Sequence, residues 1–347
     1  MILDTTLRDG SYVINFGFSA EQTTNIAVGL EKAKIPYIEI GHGIGLNASE
    51  KGLGTATHSD EEYAIAAKTN LRHSKWGMFA IPGICDLQHL DMCIDLEMDF
   101  IRIGVGVDNH EVAYPFIEKA KKAGMLTCVN FMKSYSRPPH IFEQVARDTI
   151  QSGADYIYLV DSAGNLTPET TRQYCERIQD ISYGFHGHNN LGLANANAIV
   201  AYGLGAKIID TSLQGLGRSA GNTQTEQFIA ILQRMDKAKD IDLLHLIDIS
   251  DKYVRPLIKN AGTDGLDLIC GFAGFHSSYM SEIRDIALEF NVDPRCLIIE
   301  LCKETLDAAP VSELRKIAQV LRENSMTLNE ICKISMERYF GNEQRDL

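Results

Sequence analysis

Eight short β-rich runs begin at Ile2, Pro36, Lys75, Asp99, Leu126, Asp155, Tyr183 and Lys207, roughly 25 to 35 residues apart, with helical periodicity in between. Parallel strands need a crossover connection, so this alternation specifies a parallel sheet built from βα units. Helices are expected over Ala20 to Ala33, His110 to Ala123 and Pro139 to Ser152. Lys122-Ala123-Gly124, Ser152-Gly153-Ala154 and Gly203-Leu204-Gly205-Ala206 supply helix ends, while Pro168 after Thr167 and Pro138 with Pro139 supply starts.

Eight units are what an α/β fold of the TIM-barrel type, (β/α)8, requires. Polar residues collect where the strands finish: Arg8-Asp9, Glu39 and His42, Arg102, Asn130, Asp161-Ser162, His186 and His188, and Asp210-Thr211-Ser212. A doubly wound sheet would place a ligand at one switch point, with no need for polar groups at nearly every strand end. A barrel is therefore expected over residues 1–240 as the catalytic domain. From Asp240 the strand signal fades, and helices are expected over Asp242 to Asn260, Ser278 to Phe290 and Val311 to Asn324. Asn291-Val292-Asp293-Pro294 and Ala308-Ala309-Pro310 punctuate this helical C-terminal region, 241–347, which no low-complexity linker separates from the barrel.

With 46 acidic against 33 basic residues the net charge is −13, which leaves no basic stripe for nucleic acid or anionic lipid. The eight cysteines form no C-x-x-C pair, so reduced thiols in a cytoplasmic protein are expected. Neither a signal peptide nor a run of about 18 apolar residues is read.

The chemistry sits in two motifs, Thr5-Thr6-Leu7-Arg8-Asp9-Gly10 and Gly184-Phe185-His186-Gly187-His188-Asn189-Asn190. In a strand, His186 and His188 share a face, and Asp9 from another strand completes one oxygen and two nitrogen ligands. Such a set leaves coordination positions of a divalent ion open for substrate and water. The structural alternative is a turn capped by Asp9 and histidines that satisfy core hydrogen bonds. Mn²⁺ is the expected ion for an oxygen-chelating substrate, and Mg²⁺, Co²⁺ and Zn²⁺ are compatible with the donors. Arg8 would hold a substrate carboxylate or an oxyanion, or else pair with Glu39. Ser162 would donate to a carboxylate or form a turn. The loop Gly215-Leu216-Gly217-Arg218-Ser219-Ala220-Gly221-Asn222 is spaced G-x-G-x-x-x-G, which is no dinucleotide fingerprint, and is expected to aim N–H groups at an anion from a helix start. Asn222 either caps that helix or reaches the metal region.

These motifs, with Asp161-Ser162-Ala163-Gly164, resemble those of the DRE-TIM metallolyases, and within them the pyruvate-specific class II aldolases of the 4-hydroxy-2-oxovalerate type. Gly41-His42-Gly43-x-Gly45-Leu46, His58-Ser59-Asp60, and Val292-Asp293-Pro294-Arg295 with Leu297-Ile298-Ile299-Glu300-Leu301 extend the resemblance over nearly the whole chain. It implies cleavage or formation of a 4-hydroxy-2-oxo acid from pyruvate and an aldehyde. The metal on Asp9, His186 and His188, together with Arg8, would stabilise the pyruvate enolate, with Ser162 and His42 assigned to substrate binding. It also implies a partner, either a separate acylating aldehyde dehydrogenase or a second copy bound through the C-terminal helices.

The chain departs from that pattern in three residues. The aldolases carry histidine where Tyr12 stands and tyrosine where His276 stands. If the two places face one another, His276 is the base and Tyr12 its hydrogen-bonding partner, because an ordinary imidazole titrates near neutrality and a phenol does not. The other candidates for base are His42 and a metal-bound water. Ile44 replaces an aspartate, so aldehyde preference is not carried over. Two further functions are compatible with the motifs: acyl-CoA-dependent condensation or cleavage within the same superfamily, and a non-catalytic barrel that binds metal and a 2-oxo acid.

Overall fold

The computed structural model describes residues 1–258, 265–328 and Met336. Eight parallel strands, β1 (Ile2–Asp4), β2 (Tyr37–Glu39), β3 (Lys75–Ala80), β4 (Phe100–Gly106), β5 (Leu126–Met132), β6 (Tyr156–Asp161), β7 (Tyr183–Gly187) and β8 (Ile208–Thr211), pair in chain order, and β8 closes on β1. The (β/α)8 barrel read from the sequence is the observed fold. Strands β2, β4, β6 and β8 start one residue later than read. At Asp99 and Asp155 the side chain explains the shift: their carboxylates accept from Trp76 N–H at 3.1 Å and Thr127 N–H at 2.8 Å, tying down the neighbouring strand.

Helices α1 (Ala20–Lys32), α2 (Asp60–Asn70), α3 (His89–Asp95), α4 (Tyr114–Lys122), α5 (Pro139–Gln151), α6 (Pro168–Ile178), α7 (Ala194–Gly203) and α8 (Thr225–Arg234) cover the barrel. Their starts are written locally. Ser19 with Gln22 and Ser59 with Glu62 form capping boxes, and Pro139 and Pro168 stand in first turns, where a missing N–H leaves no hydrogen bond unmade. Gly124 and Gly153, at φ +82° and +108°, close α4 and α5 in the left-handed region that glycine enters without strain. The helix expected from His110 begins only at Tyr114, behind a 3-10 segment over Val107–Ala113.

Period-two alternation sorts the barrel interior into layers. Leu3, Tyr37, Phe100, Cys128, Tyr158 and Ile208 form an apolar plug. Two residues further along their strands stand Glu39, Arg102, Asn130 and Asp210, all buried, as a polar floor below the C-terminal face. Arg102 is the largest fully buried side chain, and its guanidinium lies 4.5 Å from the Tyr158 ring centre. A cation there is tolerable only because it is neutralised: Nη1 donates to Glu39 at 2.8 Å and Nη2 to Asp210.

The C-terminal region contains α9 (Leu243–Ile249), α10 (Gly265–Ala273), α11 (Met280–Phe290), α12 (Pro294–Glu304) and α13 (Val311–Glu323). The single helix expected over Asp242 to Asn260 is broken. After α9 the chain passes through a π turn, Ser250–Val254, and a 3-10 turn, Arg255–Leu257, because Pro256 lacks an N–H and crowds the preceding turn. Lys259 and Asn260 lie outside the described residues, as does Cys332. Ile241, Leu246, Ile249 and Val254 pack into the barrel's core, whereas Leu266, Ile283, Leu297 and Leu314 belong to a separate apolar core. The seven described cysteines are free thiols, and among the described residues no helix is long and apolar enough to cross a membrane.

Candidate active site

A cavity of about 300 Å³ opens among the C-terminal ends of the strands. Its walls bring together Arg8, Asp9, Tyr12, Ser162, His186, His188 and His276, all singled out in the sequence, with Asn130, Lys133, Arg218 and Ser278. Asp9 opens a 3-10 turn, Asp9–Ile14, which follows β1 after the short link Thr5 to Arg8, and this turn also carries Tyr12 to the cavity. His186 ends its side chain in the cavity from β7, and His188 follows one residue beyond the strand.

Asp9, His186 and His188 are buried and offer ligand atoms that lie within 4.8 Å of one another. The two Nε2 atoms are 3.4 Å apart. Both rings are oriented from behind. His186 Nδ1 donates to the Asp210 carboxylate at 2.9 Å and His188 Nδ1 to the Arg218 carbonyl at 3.2 Å, so each Nε2 carries the lone pair. Burial first, then the Arg218 guanidinium, keeps His188 neutral, with its pKa well below the ordinary histidine value. Burial alone would raise the Asp9 carboxyl, but the guanidinium groups of Arg8 and then Arg218 outweigh it and hold the group ionised far below the usual carboxylate range. Asn222 also reaches the triad. Its Nδ2 donates to Asp9 Oδ2 at 2.6 Å, while its buried Oδ1 has no hydrogen-bond partner among the described residues. An ionised carboxylate, two imidazole lone pairs and an orphaned amide oxygen suit a divalent cation. The Arg218 guanidinium, whose Nη2 stands 3.3 Å from His188 Nε2, shows that this lone pair already faces positive charge.

The HMGL-like family matches residues 1–252, a span that contains the whole triad. The chain belongs to the HMGL-like (DRE-TIM) metallolyase superfamily. An oxaloacetate decarboxylase of Mycobacterium tuberculosis is 35% identical over 87% of this chain and 91% of its own length. A 4-hydroxy-2-oxovalerate aldolase of Moorella thermoacetica is 35% identical over 86% and 90%. In fold, the carboxyl transferase domain of Rhizobium etli pyruvate carboxylase superposes with a TM-score of 0.74 at 14% identity, covering 94% of this chain and 60% of that one. Membership in the HMGL-like superfamily and the buried triad together support a metal-dependent lyase.

Arg8 serves two carboxylates, donating from Nη1 to Asp9 at 2.6 Å and from Nε to Glu39 at 2.8 Å, and it still lines the cavity. Of the two sequence alternatives, the pairing with Glu39 is the one the structure contains. Glu39 Oε2 also accepts from Arg102, so Arg8, Glu39, Arg102 and Asp210 form one buried chain of alternating charge that ends on His186 of the triad. Replacing Asp210 by asparagine is expected to weaken Mn²⁺ binding about 10-fold to 100-fold, the usual effect of removing an outer carboxylate from a ligating histidine. Calorimetric titration of the ion measures it.

The glycine-rich loop differs from its expected role. Four of its N–H groups are spent on backbone carbonyls, Gly215 on Ser212, Leu216 on Leu213, Gly221 on Arg218 and Asn222 on Gly215, while Arg218 N–H approaches Asp9 Oδ2 at 3.4 Å, and α8 starts only at Thr225, behind Gln224. Asn222 is thus no helix cap. Gly217 is required there, because a Cβ would stand 2.4 Å from Asn222 Nδ2 and 2.8 Å from Asp9 Oδ2.

His42 does not line the cavity. It stacks on Phe16 with 3.9 Å between ring centres, its Nε2 donates to Gly54 O at 3.0 Å, and its Nδ1 accepts from Ile44 N–H at 3.1 Å. Both nitrogens hold the β2 loop, and burial lowers its pKa to about 4. Between that value and the unfolded value near 6.5 the unfolded chain binds the extra proton, so stability falls as pH falls through this window. The full loss is about 3 kcal/mol once the pH is below the folded pKa. Urea midpoints between pH 7 and 4, compared with those of His42→Gln, should show this slope flattened in the variant.

Ser162 accepts from Lys133 N–H at 2.9 Å, which leaves its own hydrogen for the cavity it lines. His276 comes from the segment between α10 and α11, and with Tyr12 it lines the same cavity as the triad. Its Nδ1 lies 2.6 Å from Ser278 Oγ and 3.2 Å from Ser278 N–H. Ser278 N–H donates to Nδ1, so the lone pair sits on Nδ1, where the Ser278 hydroxyl also donates, and the hydrogen of the neutral ring is on Nε2. Burial, then Arg218, Lys133 and His188, lower its pKa well below the ordinary value, so the imidazole is neutral at physiological pH. Lys133 and Arg218 were not singled out from sequence. Arg218 sat inside a quoted glycine motif, and Lys133 follows directly on the end of β5, the position from which a barrel feeds its site.

Proposed function

We propose that the protein is a divalent-metal-dependent aldolase that cleaves or forms a 4-hydroxy-2-oxo acid from pyruvate and an aldehyde. The supporting observation is one cavity that gathers the triad, Arg8 and Ser162 with Tyr12 and His276. Asp9, His186 and His188 would hold the ion, Mn²⁺ first, and it would supply Lewis acidity toward the carboxylate and keto oxygens of the 2-oxo acid. Ser162 donates to the carboxylate. His276 Nδ1 takes the C4 hydroxyl proton by way of the Ser278 hydroxyl, which lies 2.6 Å from it and also lines the cavity: Oγ gains the substrate proton as it passes its own to Nδ1, and the C4–O pair forms the aldehyde carbonyl. The C3–C4 pair moves onto the pyruvate enolate, whose oxygen faces the Arg8 guanidinium. Return of a proton to C3 completes pyruvate. Tyr12 orients the base and the C4 oxygen.

The test is a product screen of pyruvate with a panel of aldehydes under Mn²⁺, read by mass, together with exchange of the pyruvate methyl protons in D₂O. Aldol adducts and exchange are expected; neither would occur on a barrel that only binds. A second reading rests on the 35% identity to the Mycobacterium tuberculosis protein named oxaloacetate decarboxylase. Loss of carbon dioxide from a 2-oxo diacid yields the same enolate without any C4 hydroxyl proton to remove. Carbon dioxide release from oxaloacetate that survives His276→Asn, without adduct formation, would favour it.

Because His276 is neutral when active, turnover in the aldolase reading falls as pH falls through its pKa. That acid limb is expected below pH 6.5, the ordinary histidine value, in a kcat profile.

A further inference from the structure

The His276 turn belongs to the C-terminal region, yet it has to be held against a barrel built from a different stretch of chain. We infer that Lys133 is the positioning residue that sets His276 over the cavity, acting through Tyr279. This rests on the reading of His276 as the base.

Lys133 follows the last residue of β5 and lines the cavity. Its ammonium donates to Tyr279 Oη at 2.7 Å and to the Asp307 carbonyl at 2.9 Å, and it stands 4.8 Å from the Tyr279 ring centre. Tyr279 Oη donates to the same carbonyl at 2.5 Å, which closes a three-membered cluster. Tyr279 is one turn from His276: its N–H donates to the His276 carbonyl at 3.2 Å, and the two rings pack 6.1 Å apart. The cluster therefore anchors the downstream end of the turn that carries the base. The upstream end meets the barrel through Arg218, whose Nη1 donates to Ser277 Oγ at 2.6 Å.

The backbone of Lys133 makes a second attachment. Its N–H donates to Ser162 Oγ at 2.9 Å, and its φ of +57° is one that a side-chain-bearing residue adopts at a cost. That conformation lets one residue point its N–H at the serine just after β6 and its ammonium across to the C-terminal region. Lys133 thus registers a substrate-binding hydroxyl and the base against each other. Neither ammonium contact is with a carboxylate, so the interaction fixes direction and distance; it does not neutralise a charge.

Lys133→Met keeps the stem and the backbone contact to Ser162 but removes the three donors. A base displaced by about 1 Å loses on the order of 10²-fold in rate. Lys133→Met is expected to lower kcat for aldol cleavage by about 10-fold to 100-fold, with KM, the inhibition constant of oxalate, Mn²⁺ affinity and thermal midpoint unchanged. Lys133→Arg restores part of the rate. Tyr279→Phe lowers kcat, and the double variant with Lys133→Met loses no more than the worse single one, since both act through one contact. Unchanged kcat in Lys133→Met, or a loss shared equally with oxalate affinity and melting temperature, overturns the inference. His276→Asn is measured alongside. If it leaves turnover intact, the reading of the base fails; if it abolishes turnover while Lys133→Met does nothing, only the role of Lys133 fails.

Discussion

His188→Ala is expected to abolish divalent-ion binding and to lower turnover by about 10³-fold or more, the upper range for removing one preorganised stabiliser of a developing oxyanion. Only Asp9 and His186 then remain of the triad, and two protein ligands do not hold an ion open to substrate at useful affinity. The loss should reach every step that passes through the enolate. Methyl-proton exchange of pyruvate should disappear together with adduct formation, and added Mn²⁺ should restore neither. Manganese electron paramagnetic resonance reads occupancy directly, and a variant that binds the ion normally and turns over at the parent rate would contradict the metal assignment. The barrel itself should survive, because His188 lies beyond the end of β7 and takes part in neither the apolar plug nor the outer core.

His276→Asn is expected to be as damaging to turnover and nearly silent in binding. A positioned general base contributes about 10²-fold to 10⁴-fold, and asparagine occupies the site without a titratable nitrogen. Mn²⁺ affinity and oxalate inhibition should stay at parent values, because His276 approaches the cavity from the C-terminal segment and is no member of the triad. Tyr12→Phe should cost less, since it removes an orienting hydroxyl and leaves the base. If Tyr12→Phe proved the more damaging, the two roles would be reversed. That result would restore the order seen in the aldolases that the sequence resembles.

The barrel was legible because its signal is local and repeated. Each strand carries its own period-two pattern, and each helix start has its own serine, threonine or proline, so small errors stayed within one residue at Asp99 or Asp155. The triad was legible for a similar reason: His-x-His on a strand leaves little freedom. Contacts across long sequence separations were not legible. Nor was the fold of the β2 loop, in which His42 spends both nitrogens on nearby backbone at Ile44 and Gly54. That Lys133 would reach Tyr279 depends on docking two cores that share no pattern in the sequence. The break in the Asp242 to Asn260 helix was legible in Pro256, and the helical periodicity around it obscured the signal.

The buried line from Arg8 through Glu39, Arg102 and Asp210 to His186 bears on how such an enzyme can diverge. Each carboxylate is shared between two partners, so no member can be exchanged alone without stranding a charge in the barrel interior. Variation is therefore channelled away from the floor and into the rim. Ile44, Ile81 and Ile84 line the cavity from loops that carry none of these charges. Lineages and engineers alike can recast those loops to change what the cavity admits, while the charged floor that steadies the triad is inherited whole.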